Sequence, residues 1–307
     1  ILRSDWSSDV CSSDLTIDSK AQQRLYDIVN TNNYIQYVND KIQNAVVMLD
    51  TKTGAVRAIS GGRKQTTLLG YNRATDNSRS TGSTIKPVID YGPAIEYLNY
   101  STGQTIKDQR TTYSNGVELN NWDFSHKGPM TLRTALVYSR NTTALQAFRA
   151  VGETNIKSFL NNLDIQIKND GQDYLVESNA IGADISPIKM AAAYATFGNY
   201  GTYSKPYTVT KVTTRDGQVY EFKPNQKQAM KDSTAYMITD VLKDSFKYGF
   251  ATEVAIPGLP TAAKTGSSNY TIEQKRAMGA SDYEDIIPDS WFIGYSTDYT
   301  ISAWTGY

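Results

Sequence analysis

Segments with strand patterns lie at both ends of this 307-residue chain, and the long stretch between them is dominated by helical patterns. Near the N-terminus, NAVVMLD and AVRAISGG are rich in β-branched residues and flank the turn TKTG. Near the C-terminus, WFIGYS and YTISAWTGY have the same character. We therefore predict an α+β fold with a central antiparallel sheet built from both chain ends, flanked by helices and interrupted by a mostly helical insertion.

The composition excludes several classes of function. Lysine plus arginine equals aspartate plus glutamate at 31 each, so no net charge favours nucleic acid as a partner. No apolar run approaches the roughly 18 residues that a membrane-spanning helix needs. Cys11 and His126 are the only cysteine and histidine, which excludes Cys–His nucleophile pairs, structural zinc sites and Ser-His-Asp triads. We expect no metal and no cofactor, and a general base other than histidine.

Three parts follow one another along the chain. Residues 1–15 are rich in Ser and Asp, fit neither helix nor strand period, and from Ser4 onward resemble the translation of a sequencing adapter. We therefore predict a non-native tail over residues 1–15. Residues 16–42 are expected to form an N-terminal helix and linker, with Asp18 and Ser19 as candidate caps, and residues 43–307 a single domain.

Three short motifs stand in order along this domain: Ser83-Thr-Ile-Lys86, Ser139-Arg-Asn141 and Lys264-Thr-Gly. Ser83 follows a glycine at the start of a predicted helix, and Lys86 lies one turn later on the same face. An amine beside a hydroxyl is one way to activate a serine nucleophile without histidine. Ser139 follows Ser83 by 56 residues, and Lys264 follows Ser139 by 125. Each motif alone is weak, but in this order and spacing they exceed chance.

Two second copies of these motifs have structural explanations. Ser186 and Lys189 form another Ser-x-x-Lys, but Pro187 and an Ala-rich run follow the serine, as expected for a helix N-cap. The sequence Lys52-Thr-Gly54 lies between two strand patterns, which indicates a solvated hairpin turn. We predict that neither copy takes part in chemistry.

With its motifs in this order, the chain from about Thr16 to Tyr307 resembles the transpeptidase domains of Gram-positive class A, or bifunctional, penicillin-binding proteins. Three further stretches carry the resemblance: GRKQTTLLGYNRATD, SPIKMAAAYATFGNYGTYSKP and DSWFIGYSTDYTISAWTGY. The resemblance implies the fold shared by these domains and the serine β-lactamases. It also implies a peptidoglycan DD-transpeptidase that cross-links stem peptides through a serine acyl-enzyme, releases D-alanine and is acylated by β-lactams.

The resemblance also implies roles for individual residues. Ser83 is the expected nucleophile and Lys86 the expected general base. Ser139 is expected to relay a proton, and Asn141 to hold both Lys86 and the substrate amide. The strand that binds the terminal carboxylate is expected to contain Lys264, Thr265, Gly266 and Ser267. The backbone N–H groups of Ser83 and Ser267 are expected to form an oxyanion hole. Trp122, in NNWDF, resembles an aromatic residue at the rim of the cleft, and an ordinary half-buried tryptophan is the alternative.

Further expectations concern partners and context. The resemblance implies peptidoglycan stem peptides and β-lactam antibiotics as partners, and an upstream glycosyltransferase domain and membrane anchor in the full-length protein. It places the domain on the outer face of the cytoplasmic membrane. Family members continue from the closing strand into a helix, so we expect the domain to be truncated after Tyr307.

The motifs leave other functions open because they do not decide which acceptor takes the acyl group. The alternatives are a DD-carboxypeptidase, a β-lactamase-like hydrolase and a β-lactam sensor. The class A β-lactamases have Ser-Asp-Asn, whereas this chain has Ser139-Arg-Asn141. Sensors usually lack the N-terminal helix and the GRKQTTLLGYNRATD stretch.

Overall fold

A computed structural model of the chain describes residues 10–270, 272–279, 281 and 286–307. The strands are β1 (Val10–Leu15), β2 (Gln43–Asp50), β3 (Val56–Ser60), β4 (Arg79–Ser80), β5 (Thr105–Asp108), β6 (Thr111–Thr112), β7 (Glu118–Leu119), β8 (Gly128–Thr131), β9 (Asp184–Ile185), β10 (Thr202–Ser204), β11 (Val209–Thr214), β12 (Val219–Glu221), β13 (Gln226–Gln228), β14 (Ala262–Ser267), β15 (Asp289–Tyr295) and β16 (Tyr299–Gly306). The helices are α1 (Ser19–Asn30), α2 (Gly92–Leu98), α3 (Leu132–Val137), α4 (Asn141–Val151), α5 (Glu153–Asn162), α6 (Pro187–Gly198), α7 (Asp232–Lys243) and α8 (Ile272–Ala277). Within the described ranges, no helix combines the length and the apolar character needed to cross a bilayer.

The central sheet has five antiparallel strands in the order β14–β15–β16–β2–β3. Its strands come from both ends of the chain, and β16 pairs with β2 along its whole length, with Trp304 opposite Ala45. The predicted assembly of one sheet from the two chain ends is therefore confirmed. Within the part of the chain that the structure describes, β14 has a strand partner on one side, and its other edge faces the turn at Gly82–Ile85.

Helix α6 forms the centre of the core. Its residues from Met190 to Phe197 are all buried, and the helix packs on β2, β15 and β16. A helix that is apolar on nearly every side must be covered all round. The sheet covers α6 on one side, and α7 packs against both α6 and β14.

The N-terminal helix forms as predicted. The Asp18 side chain caps α1 by accepting from Lys20 N and Ala21 N at 2.9 Å each. The helix packs against β3, where Gln22 exchanges two hydrogen bonds of 2.9 Å with the backbone of Ile59. Since β3 is an edge strand, this side chain satisfies backbone groups that would otherwise face solvent.

Two stretches with helical sequence patterns are interrupted in the structure. Ser83 lies in a 3₁₀ turn (Gly82–Ile85), which is followed by a π-helical turn (Pro87–Tyr91) and then by α2, because prolines at positions 87 and 93 lack N–H donors. The pattern TLRTALVYSRNTTALQAFRAV gives α3 and α4, separated by a three-residue turn in which Ser139 has φ of +55°. Both stretches are helical, and their interruptions coincide with the first two motifs.

Strands β11 and β12 pair antiparallel as a second hairpin. Strand β1 pairs with the other edge of β11, so the expectation that this segment has no regular structure was wrong for Val10–Leu15. Its non-native origin stays a prediction, and residues 1–9 of the predicted tail lie outside the described residues. Strand pairing uses backbone groups, so an exposed strand edge accepts a segment whose side chains have no strand period.

Candidate active site

Ser83 lies where the chain passes from β4 into the helical region. Both sides of its turn are fixed: Thr81 N donates to Ala183 O at 3.0 Å, and the Tyr194 hydroxyl from α6 donates to Thr84 O at 2.7 Å. The residues next to Ser83 are buried, whereas Ser83 itself is partly exposed. The fold therefore presents this hydroxyl-bearing side chain to solvent from an otherwise buried turn.

Lys86 lies one turn further on and is fully buried. Its Nζ donates to Ser139 O at 2.7 Å and to Asn141 Oδ1 at 2.7 Å, and lies 3.3 Å from Ser139 Oγ. All three acceptors are uncharged. Ser139 and Asn141 follow Lys86 by 53 and 55 residues in the chain. The first two motifs thus meet at one amine.

The charge state of Lys86 depends on its surroundings. Burial lowers its pKa well below the ordinary value, the charges of Lys264 and Arg140 lower it further, and Asp90 opposes the shift. Asp90 is buried in the π-helical turn, and neither of its oxygens has a hydrogen-bond partner among the described residues. Burial raises the pKa of Asp90 well above its ordinary value, which favours the protonated, neutral acid. A neutral Asp90 leaves Lys86 without a counter-ion, and a neutral amine can act as a base.

Ser139 lies between two buried amines. Lys264 Nζ donates to Ser139 Oγ at 2.9 Å and to Thr265 O at 2.9 Å. Burial lowers the pKa of Lys264 to about 7. The left-handed backbone of Ser139 (φ +55°) lets both its carbonyl and its hydroxyl face Lys86, a conformation that non-glycine residues adopt at some energetic cost. The hydroxyl can accept a hydrogen bond from one lysine while pointing its own proton at the other.

The third motif lies on β14, directly against the turn that carries Ser83. A Cβ on Gly82 would lie 2.3 Å from Ser267 O, and one on Gly266 would lie 2.5 Å from Thr81 O. Both positions therefore require glycine, and Gly82 also has a positive φ of +50°. This close approach brings the backbone at Ser83 next to the end of β14, as an oxyanion hole shared between the two segments needs.

No sequence pattern indicated the residues that hold the second motif in place. Asn121 Oδ1 accepts from Asn141 N at 2.7 Å and from Thr142 N at 3.3 Å, so it caps the start of α4. Asp108 accepts from Asn121 at 2.8 Å and from Thr142 at 2.6 Å, and forms a buried ion pair of 2.9 Å with Arg140. These contacts join residues 13 to 34 positions apart, which no local motif could have indicated.

Trp122 follows Asn121 and is exposed. Its side chain is 55% accessible, its Nε1 donates to Tyr138 O at 3.1 Å, and its ring meets the Phe250 ring edge to face at 5.3 Å. Phe250 also lines a shallow surface depression together with Lys264 and Thr265. Trp122 therefore lies on the surface beside Tyr138, the residue that precedes Ser139. It is less buried than an ordinary half-buried tryptophan.

The other copies of the Ser-x-x-Lys and Lys-Thr-Gly motifs, at Ser186 and Lys52, lie apart from this cluster. Ser186 is the N-cap residue of α6 and Pro187 its first residue, as predicted, although the serine side chain forms no capping bond. The segment from Lys52 to Gly54 is the predicted turn between β2 and β3. The expectation that it is solvated was wrong for Gly54, which is buried so tightly that a Cβ would lie 2.9 Å from Ser204.

Comparisons with known proteins identify the family and the fold. The family model described as "Penicillin binding protein transpeptidase domain" matches residues 44–305. The chain is 41% identical over 294 residues to penicillin-binding protein 1A/1B of Bacillus subtilis, covering 95% of this chain and 32% of that protein. It is 40% identical over 300 residues to penicillin-binding protein 1A of Streptococcus oralis, covering 95% of this chain and 47% of that protein. The chain thus spans about a third to a half of the length of these relatives.

A solved structure extends the comparison to the fold. The structure of the PonA1 protein from Mycobacterium tuberculosis in complex with penicillin V superposes with a TM-score of 0.84 at 22% identity, covering all of this chain and 79% of that one.

Proposed function

This chain belongs to the penicillin-binding protein transpeptidase domain family, and on that premise we propose that it is a serine-type peptidoglycan DD-transpeptidase with Ser83 as nucleophile. The observation that carries the proposal is the Ser139 hydroxyl, which lies 3.3 Å from Lys86 Nζ and 2.9 Å from Lys264 Nζ. Two buried amines that share one hydroxyl form a proton path that needs no histidine.

The acylation half-reaction uses these groups in order. Neutral Lys86 takes the proton of Ser83 as Oγ attacks the carbonyl between the two D-alanines of a stem peptide. The C–N bond then breaks, and the departing D-alanine amine receives a proton that passes from Lys86 through Ser139. The product is an ester between the stem peptide and Ser83. Attack by the amine of a second stem peptide reverses these proton transfers, forms the cross-link amide and restores the serine.

The third motif would bind the substrate. We assign the terminal D-alanine carboxylate to Lys264, Thr265 and the exposed Ser267 on β14, with Gly266 providing the close approach to the Ser83 turn. The backbone N–H groups of Ser83 and Ser267 would stabilise the oxyanion. We assign Trp122 to the rim of the stem-peptide cleft, because it lies beside the turn that carries Ser139.

The wider context of the reaction follows from its substrates. We propose that β-lactams acylate Ser83 because they mimic the D-alanyl-D-alanine end, and that the domain works outside the cytoplasmic membrane, where peptidoglycan lies. A relative named penicillin-binding protein 1A/1B and a structural neighbour solved with penicillin V support this assignment. In the full-length protein we expect an upstream glycosyltransferase domain and a membrane anchor.

The first test is covalent labelling by a fluorescent penicillin. Wild-type protein and Ser186→Ala should be labelled at the same rate, and Ser83→Ala should not be labelled. The Ser186 variant is a matched control because it removes the serine of the other Ser-x-x-Lys copy. Labelling that persists in Ser83→Ala would refute the nucleophile.

The second test separates the transpeptidase from its alternatives. A donor pentapeptide is incubated with an acceptor amine, and D-alanine release is measured together with the cross-linked product. We expect cross-linked product in proportion to D-alanine. Release of D-alanine without cross-linking would indicate a carboxypeptidase, rapid turnover of penicillin a β-lactamase, and a stable acyl-enzyme without peptide turnover a sensor.

A further inference from the structure

Asp289 is a buried carboxylate at the first position of β15, and its oxygens are shared among three side chains from different parts of the fold. Oδ1 accepts from Arg79 Nε at 2.7 Å and from Trp304 Nε1 at 2.9 Å, and Oδ2 accepts from Ser268 Oγ at 2.6 Å. The backbone carbonyl of Asp289 also accepts from Ser268 N at 3.0 Å. None of these residues belongs to the three motifs.

Two of these partners lie next to the residues assigned to the oxyanion hole. Arg79 is in β4, four residues before Ser83, and Ser268 directly follows Ser267. A second side chain from β15, Trp291, donates to Ser80 O at 2.8 Å and so holds β4 from the same strand. The start of β15 therefore connects the backbone leading to Ser83 with the backbone leaving β14.

Among the described residues, the end of β14 is bound to β15 at Asp289. Its pairing with β15 ends at Ser267 opposite Ser290, so Ser268 is held to β15 by the two hydrogen bonds to Asp289. The Ser83 turn and this strand end are in direct contact, since a Cβ on Gly82 would be 2.3 Å from Ser267 O. A small movement of either segment would change the distance between the two backbone N–H groups.

If Asp289 served only to form an ion pair, Arg79 would be a sufficient partner. Arg79 is about one-third exposed and lies at the protein surface. Arg79 leads to the Ser83 turn, the added contact to Ser268 joins the carboxylate to the end of β14, and the contact to Trp304 fixes it on the sheet, so Asp289 is connected to both walls of the site. We propose that Asp289 is a positioning residue that holds the backbone at Ser83 and the backbone at Ser267 at the separation an oxyanion hole requires. The proposal rests on the proposed function, because it presumes an acyl-enzyme at Ser83.

The test uses Asp289→Ala and Asp289→Asn, with Thr300→Val as a matched control. Thr300 is on the same sheet at the far end of the β15–β16 pair and forms a buried hydrogen bond of 2.9 Å with Thr51, so its variant also loses a buried polar contact. The rate constant of acylation by penicillin is measured separately from the affinity of the preceding non-covalent complex. The infrared band of the acyl-enzyme ester carbonyl, isotope-labelled, reports hydrogen bonding in the oxyanion hole directly.

We expect Asp289→Ala to lower the acylation rate constant by at least about 10-fold, up to the roughly 10²- to 10³-fold that loss of one oxyanion donor costs, with little change in non-covalent affinity. Its ester carbonyl band should move to higher wavenumber because the hydrogen bonds to it are weaker. Asp289→Asn keeps one acceptor oxygen and should fall between Asp289→Ala and wild type. Thr300→Val should leave the rate and the band unchanged.

The outcomes separate this proposal from the proposed function. If wild-type protein is not labelled by penicillin, both fall. If wild type is labelled and Asp289→Ala has the wild-type band and rate, Asp289 has no positioning role. Should Asp289→Ala fail to fold, Ser268→Ala removes only one hydroxyl and is expected to shift the band in the same direction by a smaller amount. An unshifted band in Ser268→Ala would then overturn the proposal.

Discussion

Two clusters of buried basic side chains adjoin each other at the turn between α3 and α4, and they differ in their counter-charges. On one side of the turn, Lys86 and Lys264 contact hydroxyl, amide and carbonyl oxygens. On the other side, Arg140 is paired with Asp108 and Asp123 at 2.9 Å each. Ser139 belongs to the first cluster and the next residue in the chain to the second. Ser139 and Arg140 are adjacent in the chain, yet one contacts basic groups that have no carboxylate partner among the described residues and the other is a basic group that is paired with carboxylates.

The difference shows how burial can produce either a base or a rigid support. A buried cation without a counter-ion lowers its free energy by losing its proton, so the lysines become candidates for proton transfer. A buried guanidinium cannot lose its proton and needs carboxylates. For Asp108 burial favours the neutral form, but hydrogen bonds from Thr142 and others and the charge of Arg140 outweigh it and hold the pKa below the ordinary value. The paired cluster stays charged and fixes the turn, and its arginine also lowers the pKa of Lys86.

The largest effect should come from replacing the unpaired base. Lys86→Met keeps the volume and removes the amine, and we expect acylation by penicillin to slow by about 10²- to 10⁴-fold, the usual contribution of a general base. Lys86 has no counter-ion to strand, so the cost to stability should be limited to the hydrogen bonds to Ser139 and Asn141, and the melting temperature should fall only slightly. Stopped-flow acylation and thermal unfolding measure the two effects.

The control for this variant is Lys189→Met, which removes the exposed lysine of the other Ser-x-x-Lys copy and should acylate normally. A near-normal acylation rate in Lys86→Met would exclude Lys86 as the base. A large loss of stability would mean that Lys86 is charged and paired in the folded protein.

Breaking the ion pair between Arg140 and Asp108 should instead lower the free energy of unfolding. Asp108→Ala leaves the buried Arg140 with Asp123 as its remaining carboxylate and removes the acceptor of Asn121 and Thr142, and removing one partner of a buried pair typically costs about 3–5 kcal/mol. Chemical denaturation measures the free energy of unfolding. Glu118→Ala, which breaks the exposed pair with Arg110, is the control and should cost no more than about 1 kcal/mol. Equal costs for the two variants would show that burial of the pair is not what makes it important.

The pH dependence of stability distinguishes the clusters in a third way. The folded-state pKa of Lys264 is about 7, below the 10.5 of an ordinary lysine. Between these values the unfolded chain holds a proton that the folded protein has released, so the contribution of Lys264 to stability rises with pH from about 7 to about 10. The stability of wild type relative to Lys264→Met should therefore increase over this window, by up to a few kcal/mol.

Unfolding curves at several pH values test this difference, with the non-titrating Thr300→Val as reference for the slope of the remaining groups. A wild-type advantage over Lys264→Met that stays constant from pH 7 to pH 10 would mean that Lys264 keeps its proton in the folded protein.

The sequence predicted the sheet and the motif lysines but not their electrostatic environment. Strand patterns at both ends were enough for the sheet, since period and turn residues are local signals. The turn at Ser139 was hidden because helical spacing of apolar residues continues across it. Asp108 was also missed, because its contacts to Arg140 cross 32 positions and an isolated aspartate in a short strand carries no pattern. The sequence therefore indicated which side chains could react, whereas only the fold indicates which of them lack a counter-charge.

The smallest effect should come from the exposed cation that shares a carboxylate with Arg140. Lys127 Nζ lies 4.0 Å from Asp123 Oδ2 and its side chain is 59% accessible, whereas Arg140 reaches the same carboxylate at 2.9 Å with 2% accessible. Solvent and salt screen an exposed pair, and a mobile lysine loses side-chain entropy when it is held, so such pairs contribute little. Lys127→Ala should cost less than about 0.5 kcal/mol, with any cost decreasing at high salt. Its backbone N–H to Asp108 is retained in the alanine variant, so chemical denaturation at low and high salt isolates the side chain. A cost approaching that of Asp108→Ala would show that shared contact with Asp123, and not burial, decides how much a cation stabilises this turn.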